Sequence, residues 1–311
     1  MSANGDNLPE WAAGLAPEFG RGMRCAQCGY ELGGLSIRGA CPECGLPVRA
    51  TLLAAVDPRA SELAPLFAPR LTAVGVLVWA WGATVAALSV WVTRLGDVAS
   101  RHFDIRFSSE GVLTAGLGAL VLSGIGAMTM IRPHRGLGAR QVRMAGLGVL
   151  LYLPLIALFW FMHMRFDPRG VMPYVGSLEP SSTRIALRLA TTLLIAAGFA
   201  LLWPNISALI ARSFLMRTGR VDTQPVSVLF LTLATATAGD ALDLTSRLAS
   251  GLAADVLGVV KVVLIAVGSF LFTVALVGLS FDAWRLRRVL LEHPLGLADV
   301  LAERSSEGGD E

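Results

Sequence analysis

Six apolar segments, each about 20 residues long, constrain this chain more than any other feature. They lie at about 71–92, 111–131, 145–164, 185–210, 226–246 and 256–281. An α-helix rises 1.5 Å per residue, so about 20 apolar residues cross the roughly 30 Å hydrocarbon core of a bilayer. Segment 226–246 is the weakest, because Asp240 and Asp243 fall in its second half. The pattern predicts an all-α polytopic membrane helical bundle of about six spans.

The composition supports lipid as the main solvent. Charged residues make up 16% of the chain and hydrophobic residues 54%, with a mean hydropathy of +0.62. Soluble domains carry about 25% charged residues. The net charge is only +3, and the basic residues lie mainly between the apolar segments. A nucleic-acid-binding protein would collect them on one soluble face, so no nucleic-acid partner is expected.

Arginine counts predict the orientation, since cytoplasmic loops carry the excess of basic residues. Arginines are dense after the second, fourth and sixth segments, for example Arg132, Arg135, Arg212 and Arg285. Residues 1–20 contain neither a basic residue nor an apolar run, so they lack the features of a secretory signal peptide. We therefore expect a multi-pass protein of the cytoplasmic (inner) membrane with both termini in the cytoplasm.

The sequence suggests five regions. They are a disordered lead at 1–20, a zinc ribbon at 21–48, a linker at 49–70, a transmembrane helical domain at 71–281 and a cytoplasmic tail at 282–311.

The four cysteines form the one specific motif. They occur as two CxxC pairs separated by twelve residues, each pair followed by glycine: Cys25, Cys28, Cys41 and Cys44. Two cysteines three positions apart can reach one metal ion from a tight turn, and two such turns supply the tetrahedral four-sulfur site that zinc prefers. The glycine can adopt positive φ and direct backbone N–H groups at the sulfurs. A segment this small cannot bury enough apolar area to fold alone, which makes the metal its core. We therefore expect structural zinc.

The run CAQCGYELGGLSIRGACPECG resembles the short N-terminal zinc ribbons of uncharacterised bacterial polytopic membrane proteins. The resemblance covers about 25 residues and implies a structural metal held by the four cysteines, with no defined activity. The CxxCGY and CPxCG knuckles are also similar to those of rubredoxin, in which four thiolates hold iron. Rubredoxin has a much longer connecting loop with a packed aromatic core, whereas this stretch has only Tyr30. Iron is therefore the alternative to zinc.

Ionisable groups inside spans are costly, and they are the first places to look for function. Lys261 either extends its amine to the membrane interface or pairs with Asp240 or Asp243 in a polar pathway. Arg188, near the start of its segment, is expected at the interface. Asp243 has a second possible partner in Arg247, four residues later on the same helix face.

Three further features each have two interpretations. Pro204-Asn205 marks either an ordinary proline kink or a broken helix at a substrate site. Met162-His163-Met164 is either an interface segment or a copper site. The small residues at every fourth position of the second segment predict close helix packing, within the bundle or between protomers. They are Gly111, Ala115, Ala119, Ser123 and Ala127.

No catalytic motif accompanies the metal ligands. We expect a non-enzymatic interaction, assembly or regulatory role, in which the ribbon engages a cytoplasmic protein partner. A transporter or channel with an accessory ribbon is the alternative. A membrane enzyme is a third hypothesis and has the least support. Membrane lipid is an expected partner, and a homo-oligomer is a further expectation.

Overall fold

The computed structural model describes six stretches of the chain: 23–55, 64–103, 107–167, 182–212, 226–246 and 252–291. The chain divides into two compact units. One comprises 1–65, 211–221 and 293–311, and the other comprises 66–210 and 222–292. The first contains the four cysteines and the second contains the apolar segments.

The second unit is built from helices that follow the apolar segments. They are α2 (Pro69–His102), α3 (Glu110–Met128), α4 (Ala139–Leu150), α5 (Tyr152–Trp160), a π-helix (Phe161–Phe166), α6 (Ser182–Ile210), α7 (Val226–Ser246) and α8 (Leu252–Leu291). The β-pairing among the described residues is limited to isolated bridges. The predicted all-α membrane bundle is confirmed.

Five of these helical stretches are long and apolar enough to cross a membrane. They are Pro69–Ser100, Glu110–Met128, Ala139–Phe166, Ser182–Ile210 and Asp255–Leu291. Large apolar side chains cover the outside of the bundle, with Leu193 70% and Val259 65% exposed, as expected where lipid is the solvent. The sixth expected span, 226–246, forms helix α7 but is not among the five. Its second half carries Asp240 and Asp243, the two residues that weakened it in the sequence.

The third span is a helix with two irregularities. It is interrupted between α4 and α5 at Leu151. Pro154 follows three residues later, and proline has no N–H to donate to the carbonyl of Leu150 and would clash with it. The span then ends in the π-helix, a wider turn that often occurs at functional sites. The π-helix contains His163.

Helices α2 and α3 approach each other closely through small residues. Ala119, Ser123 and Ala127 of the predicted stripe are buried, whereas Gly111 and Ala115 are exposed. The Ser123 hydroxyl donates a hydrogen bond to the Trp79 carbonyl oxygen at 2.8 Å. The buried part of the stripe is therefore a packing seam within the bundle.

Asn205 connects α6 to the end of α3. Its side-chain amide donates to the carbonyl oxygens of Met130 at 2.7 Å and Ile131 at 2.9 Å. These carbonyls lie just past the end of α3, where no helical partner remains. Pro204-Asn205 therefore stabilises helix packing, and the helix continues through it to Ile210.

Helix α1 (Val48–Ala55) belongs to the first unit, in the region expected to be a linker. The predicted lead at 1–20, most of the predicted tail, Arg247 and His293 lie outside the described residues. Helix α8 includes the first ten residues of the predicted tail, 282–291.

Gly126 tests the seam. A Cβ atom at this position would lie 2.5 Å from the Gly75 carbonyl oxygen and 2.6 Å from the Trp79 nitrogen, both backbone atoms. We expect Gly126→Leu to cost at least about 1–3 kcal/mol of stability, because the two helices must separate. The measurement is thermal unfolding of the detergent-purified protein. Gly118→Leu on the exposed face of α3, where a Cβ meets nothing within 4 Å, is the matched control. Equal unfolding temperatures for the two variants would contradict this seam.

Candidate functional sites

The two cysteine pairs form knuckles of the same geometry, sixteen positions apart. In the first, Cys25 N–H donates to the Tyr30 carbonyl at 2.7 Å, and Leu32 N–H donates to the Met23 carbonyl at 2.7 Å. In the second, the equivalent bonds run from Cys41 to Leu46 at 2.8 Å and from Val48 to Gly39 at 2.9 Å.

The glycine after each pair closes its knuckle. Gly29 donates to the Cys25 carbonyl at 3.1 Å, and Gly45 donates to the Cys41 carbonyl at 2.8 Å. Gly29 has φ of 84° and Gly45 has φ of 71°. This left-handed conformation is readily available only to glycine. The predicted positive φ at both positions is confirmed.

A small apolar core supports the knuckles. Cys25, Leu32, Cys41 and Val48 are buried together, and Leu35, Ile37 and Leu52 pack against them. Thr51 of α1 accepts a hydrogen bond from the Ala26 N–H at 3.1 Å. Helix α1 is therefore part of the cysteine module, which extends past the predicted boundary at residue 48.

The four sulfur atoms lie within 4.8 Å of one another. Cys25 Sγ is 3.6 Å from Cys44 Sγ, and Cys28 Sγ is 3.5 Å from Cys41 Sγ. Four thiolates at about 2.3 Å from one zinc ion form a tetrahedron with edges of about 3.8 Å. The four cysteines, all within the described residues, form no disulfide, and their sulfurs fit one tetrahedral metal ion. In the part of the chain that the structure describes, this is the one group of three or more candidate ligands.

The thiols differ in acidity. Burial raises the pKa of Cys25, but the backbone N–H groups of Cys28 and Gln27 and the neighbouring thiols lower it, and the net pKa is about 6. The Tyr30 N–H lowers the pKa of Cys28, while desolvation and the other three thiols raise it to about 12. Of these two thiols, Cys25 is therefore the one that loses its proton more readily. Because metals bind thiolates, a metal ion has to displace the proton on Cys28.

A second site lies in the membrane unit, where three carboxylates are paired with cations. Arg188 Nη2 lies 2.9 Å from an Asp240 carboxylate oxygen. Lys261 donates to Asp243 at 2.5 Å. Asp240 and Asp243 are each only 2% exposed, so both carboxylates are buried by their surroundings.

The third carboxylate follows the π-helix. Arg184 Nε donates to Asp167 at 3.0 Å, and His163 Nδ1 lies 3.3 Å from the other carboxylate oxygen. The π-helix places His163 four residues before Asp167 on the same face. All three residues are buried.

The charged residues form one layer at one end of the bundle. This is the end at which α2 and α7 finish and α6 and α8 begin. Arg94, Arg188, Asp240 and Lys261 each lie 6–9 residues from their helix ends, which corresponds to about 9–14 Å of helix. The layer can therefore form only when these helices pack at relative depths that bring the four residues to the same level.

A cavity of about 230 Å³ extends from this layer toward the opposite end of the bundle. On α2 its lining reaches from Arg94 to Trp79, and on α6 from Arg188 to Leu202. Each interval of 14–15 residues corresponds to about 21 Å. Its charged lining residues are Arg94, Arg188 and Asp240, with His163 beside them, and most of the remaining wall is apolar. The cavity is thus amphipathic.

The structure separates the alternatives left open by the sequence. It brings together the four predicted metal ligands. Lys261 pairs with Asp243, as the polar-pathway interpretation predicted. The expectation that Arg188 lies at the membrane interface is wrong, because Arg188 faces Asp240 inside the bundle. His163 of Met162-His163-Met164 faces Asp167, and the copper site stays a prediction. Arg247, the second possible partner of Asp243, lies outside the described residues.

Sequence reasoning missed the cavity and the roles of Arg94, Arg184 and Asp167. The alternating direction of the six expected spans could have indicated a common layer, because charges at the end of odd-numbered spans and at the start of even-numbered spans fall on the same side of a membrane. The depth of each charge and the direction in which it faces depend on helix packing, which the sequence does not show.

No family model, curated protein or solved structure matches the chain. The resemblance of the cysteine run to bacterial zinc ribbons stays a prediction. The chemistry of the two sites is the basis for the functional proposal.

The Asp243–Lys261 pair can be tested through stability. Lys261→Met removes a cation from a buried carboxylate, and we expect a loss of about 3–5 kcal/mol. The double variant Asp243→Asn with Lys261→Met removes both charges and should recover most of that loss. Thermal unfolding of the two variants in the same detergent measures the difference. A Lys261→Met protein as stable as the wild type would show that the pair contributes nothing.

Proposed function

We propose that the membrane unit binds a small amphipathic molecule inside its helical bundle, as transporters and membrane-embedded receptors do. The observation that carries this proposal is the amphipathic cavity, with charged residues at one end and an apolar wall about 21 Å long. Ligand sites are typically concave, mostly apolar and provided with a few polar groups. We therefore favour the transporter class over a role limited to protein interaction.

The space around Gly198 supports a ligand site. This buried glycine lines the cavity, and a Cβ atom built on it would meet no atom within 4 Å. Protein interiors are normally packed to a density near 0.74, and unfilled apolar space is destabilising. An occupant of the cavity would recover the contacts that its lining residues lack.

The predicted orientation of the chain in the membrane determines which side each end of the cavity faces. If the N-terminus is cytoplasmic, as the arginine distribution predicts, α2 begins on the cytoplasmic side. The charged layer then lies toward the outer surface, and Trp79 lies toward the cytoplasm. An amphipathic ligand would enter with its polar head outward.

For the cysteine module we propose a structural zinc site. The support is the tetrahedral spacing of four cysteine sulfurs in a module with a very small apolar core. Zinc bound in such peptides contributes on the order of 10–16 kcal/mol to folding. A cytoplasmic protein partner for the module stays a prediction, since none of the described contacts tests it.

Metal analysis of the purified full-length protein tests the zinc assignment. We expect about one zinc ion per chain, a stoichiometry that follows from four ligands in one tetrahedron. Cys41→Ser should lose most of the metal, whereas Glu43→Gln, an exposed change between the two cysteines of the second knuckle, should retain it. A red protein with iron at the same stoichiometry would overturn the zinc assignment and leave the four ligands intact.

Gly198 also provides the test of the cavity. The protein is placed in phosphatidylcholine nanodiscs and titrated with brominated long-chain amphiphiles carrying carboxylate, hydroxyl or ammonium heads. Bromine quenches tryptophan fluorescence on contact, and Trp79 and Trp91 line the cavity. We expect saturable quenching with at least one amphiphile. Gly198→Leu should abolish it by filling the cavity.

Gly118→Leu is the matched control, because it adds the same side chain on the exposed face of α3. This variant should be quenched like the wild type. If every amphiphile gives only the same non-saturable quenching in all three proteins, the cavity binds none of them and the proposed function is wrong.

A further inference from the structure

The π-helix places a buried histidine ring on the wall of the cavity. His163 is only 5% exposed, and it lines the cavity beside Phe159. The two rings pack edge to face with their centroids 4.7 Å apart, an arrangement that aromatic pairs prefer. Packing therefore holds the His163 ring in one orientation.

The two ring nitrogens of His163 have different surroundings. Nδ1 is completely buried and lies 3.3 Å from an Asp167 carboxylate oxygen. Among the residues that the structure describes, none hydrogen-bonds to Nε2, which retains some accessible surface. Since His163 lines the cavity, Nε2 is the nitrogen that an occupant can reach.

The Asp167 carboxylate determines which nitrogen carries the proton. A neutral imidazole donates from one ring nitrogen and accepts at the other, and the neighbouring groups select the tautomer. The carboxylate attracts the proton to Nδ1, which leaves a lone pair on Nε2. Arg184 Nε donates to the same carboxylate at 3.0 Å, so Asp167 has a cation without the histidine. His163 therefore presents a hydrogen-bond acceptor to the cavity.

The charged groups around His163 compensate one another. Three carboxylates of the layer are paired with cations, and Arg94 and Asp97, three residues apart on α2, are each engaged as well. A head group without net charge leaves these pairings intact. Over the described residues that are not exposed, the layer holds four cations, Arg94, Arg184, Arg188 and Lys261, and four carboxylates, Asp97, Asp167, Asp240 and Asp243.

Polar groups toward the other end of the cavity are bound to each other. Trp79 Nε1–H donates to the Tyr152 hydroxyl at 2.9 Å, and the Ser123 hydroxyl lies 3.2 Å from the same oxygen. Trp79 and Tyr152 both line the cavity. A ligand donor gains little from groups that are already paired, whereas at His163 it would satisfy a buried acceptor, which is costly to leave without a partner.

We propose that His163 accepts a hydrogen bond from the head group of the ligand, and that the ligand is an uncharged amphiphile with a hydroxyl or primary amide head. This inference rests on the proposed function and specifies the ligand class. The O–H or N–H of the head donates to Nε2, and the hydrocarbon chain extends along the apolar wall toward Trp79.

The tautomer is measured without a ligand. ¹⁵N NMR of histidine-labelled protein in phosphatidylcholine nanodiscs distinguishes a ring nitrogen that carries a proton from one that does not. At neutral pH we expect His163 to be protonated at Nδ1 and unprotonated at Nε2. His163→Gln identifies the signal by removing it. A ring protonated at Nε2, alone or together with Nδ1, would overturn the proposal.

The ligand test compares two matched pairs of brominated amphiphiles of equal chain length. One pair is a primary alcohol and its methyl ether, and the other is a primary amide and its N,N-dimethyl amide. The second member of each pair lacks the donor. We expect the Gly198-dependent quenching to saturate at a concentration at least about fivefold lower with the donor than without it, the effect of one neutral hydrogen bond.

Histidine variants assign this preference to one residue. His163→Phe keeps a planar ring without the acceptor, and it should reduce the donor preference to less than about twofold with the affinity for the ether unchanged. His163→Gln supplies a carbonyl oxygen and should retain most of the preference. His102→Phe changes an exposed histidine at the end of α2 and should behave like the wild type. Partitioning into the bilayer is a property of the amphiphile, so it cancels between variants.

The outcomes separate the two proposals. Gly198-dependent binding that is equal within both pairs, or stronger for a carboxylate or ammonium head than for the alcohol, would refute the uncharged donor ligand and leave the binding cavity standing. A donor preference that survives His163→Phe in full would refute the assignment to His163. Absence of Gly198-dependent binding for every head would refute the proposed function itself.

A wild-type measurement covers the case in which His163→Phe binds no amphiphile. A donor bound at Nε2 must shift the ¹⁵N signal of that nitrogen, so the alcohol should shift it and the ether should not. Equal shifts with both compounds, or no shift with either at saturation, would refute the hydrogen bond to His163.

Discussion

Asp240 and Asp243 lie on a helix whose other neighbours are mostly apolar, where an uncompensated carboxylate would cost several kcal/mol. The cations that compensate them come from different helices, Arg188 from α6 and Lys261 from α8. Each pair can form only when its two helices have one relative rotation and one relative depth. The ion pairs therefore fix the register of α6, α7 and α8, which apolar contacts alone would leave free to slide.

The same register creates the cavity. Once the charges are aligned at one end, the missing side chain at Gly198 and the small alanine side chains of α2 leave space between the helices toward the other end. The charged end and the apolar wall are then two parts of one site. This arrangement explains why α7 is a poor membrane span by sequence. Its carboxylates are partners of neighbouring helices, and they are shielded from lipid by them.

The cysteine module depends on a different principle. Its apolar core contains few residues, and its two knuckles repeat the same pattern of backbone hydrogen bonds around facing sulfurs. A metal ion at the centre of those sulfurs would join the two halves of the module, because each knuckle contributes two ligands. Helix α1 adds Val48 and Thr51 to the core, so the module is larger than its cysteine motif.

The sequence by itself determined the membrane helices, the four candidate metal ligands and the positive φ of Gly29 and Gly45, because these depend on local patterns. An apolar run is long enough to span or it is not, and a CxxCG knuckle closes within five residues.

The tertiary structure decided which ionisable groups meet. Arg94, Arg188, Asp240 and Lys261 are distant in sequence, and no local pattern specifies the direction in which each faces. It also showed that the second-segment stripe is buried only from Ala119 onward, and that Asn205 binds the end of α3. Such contacts follow from helix rotation and depth, which are set by the sum of many packing and pairing interactions across the bundle.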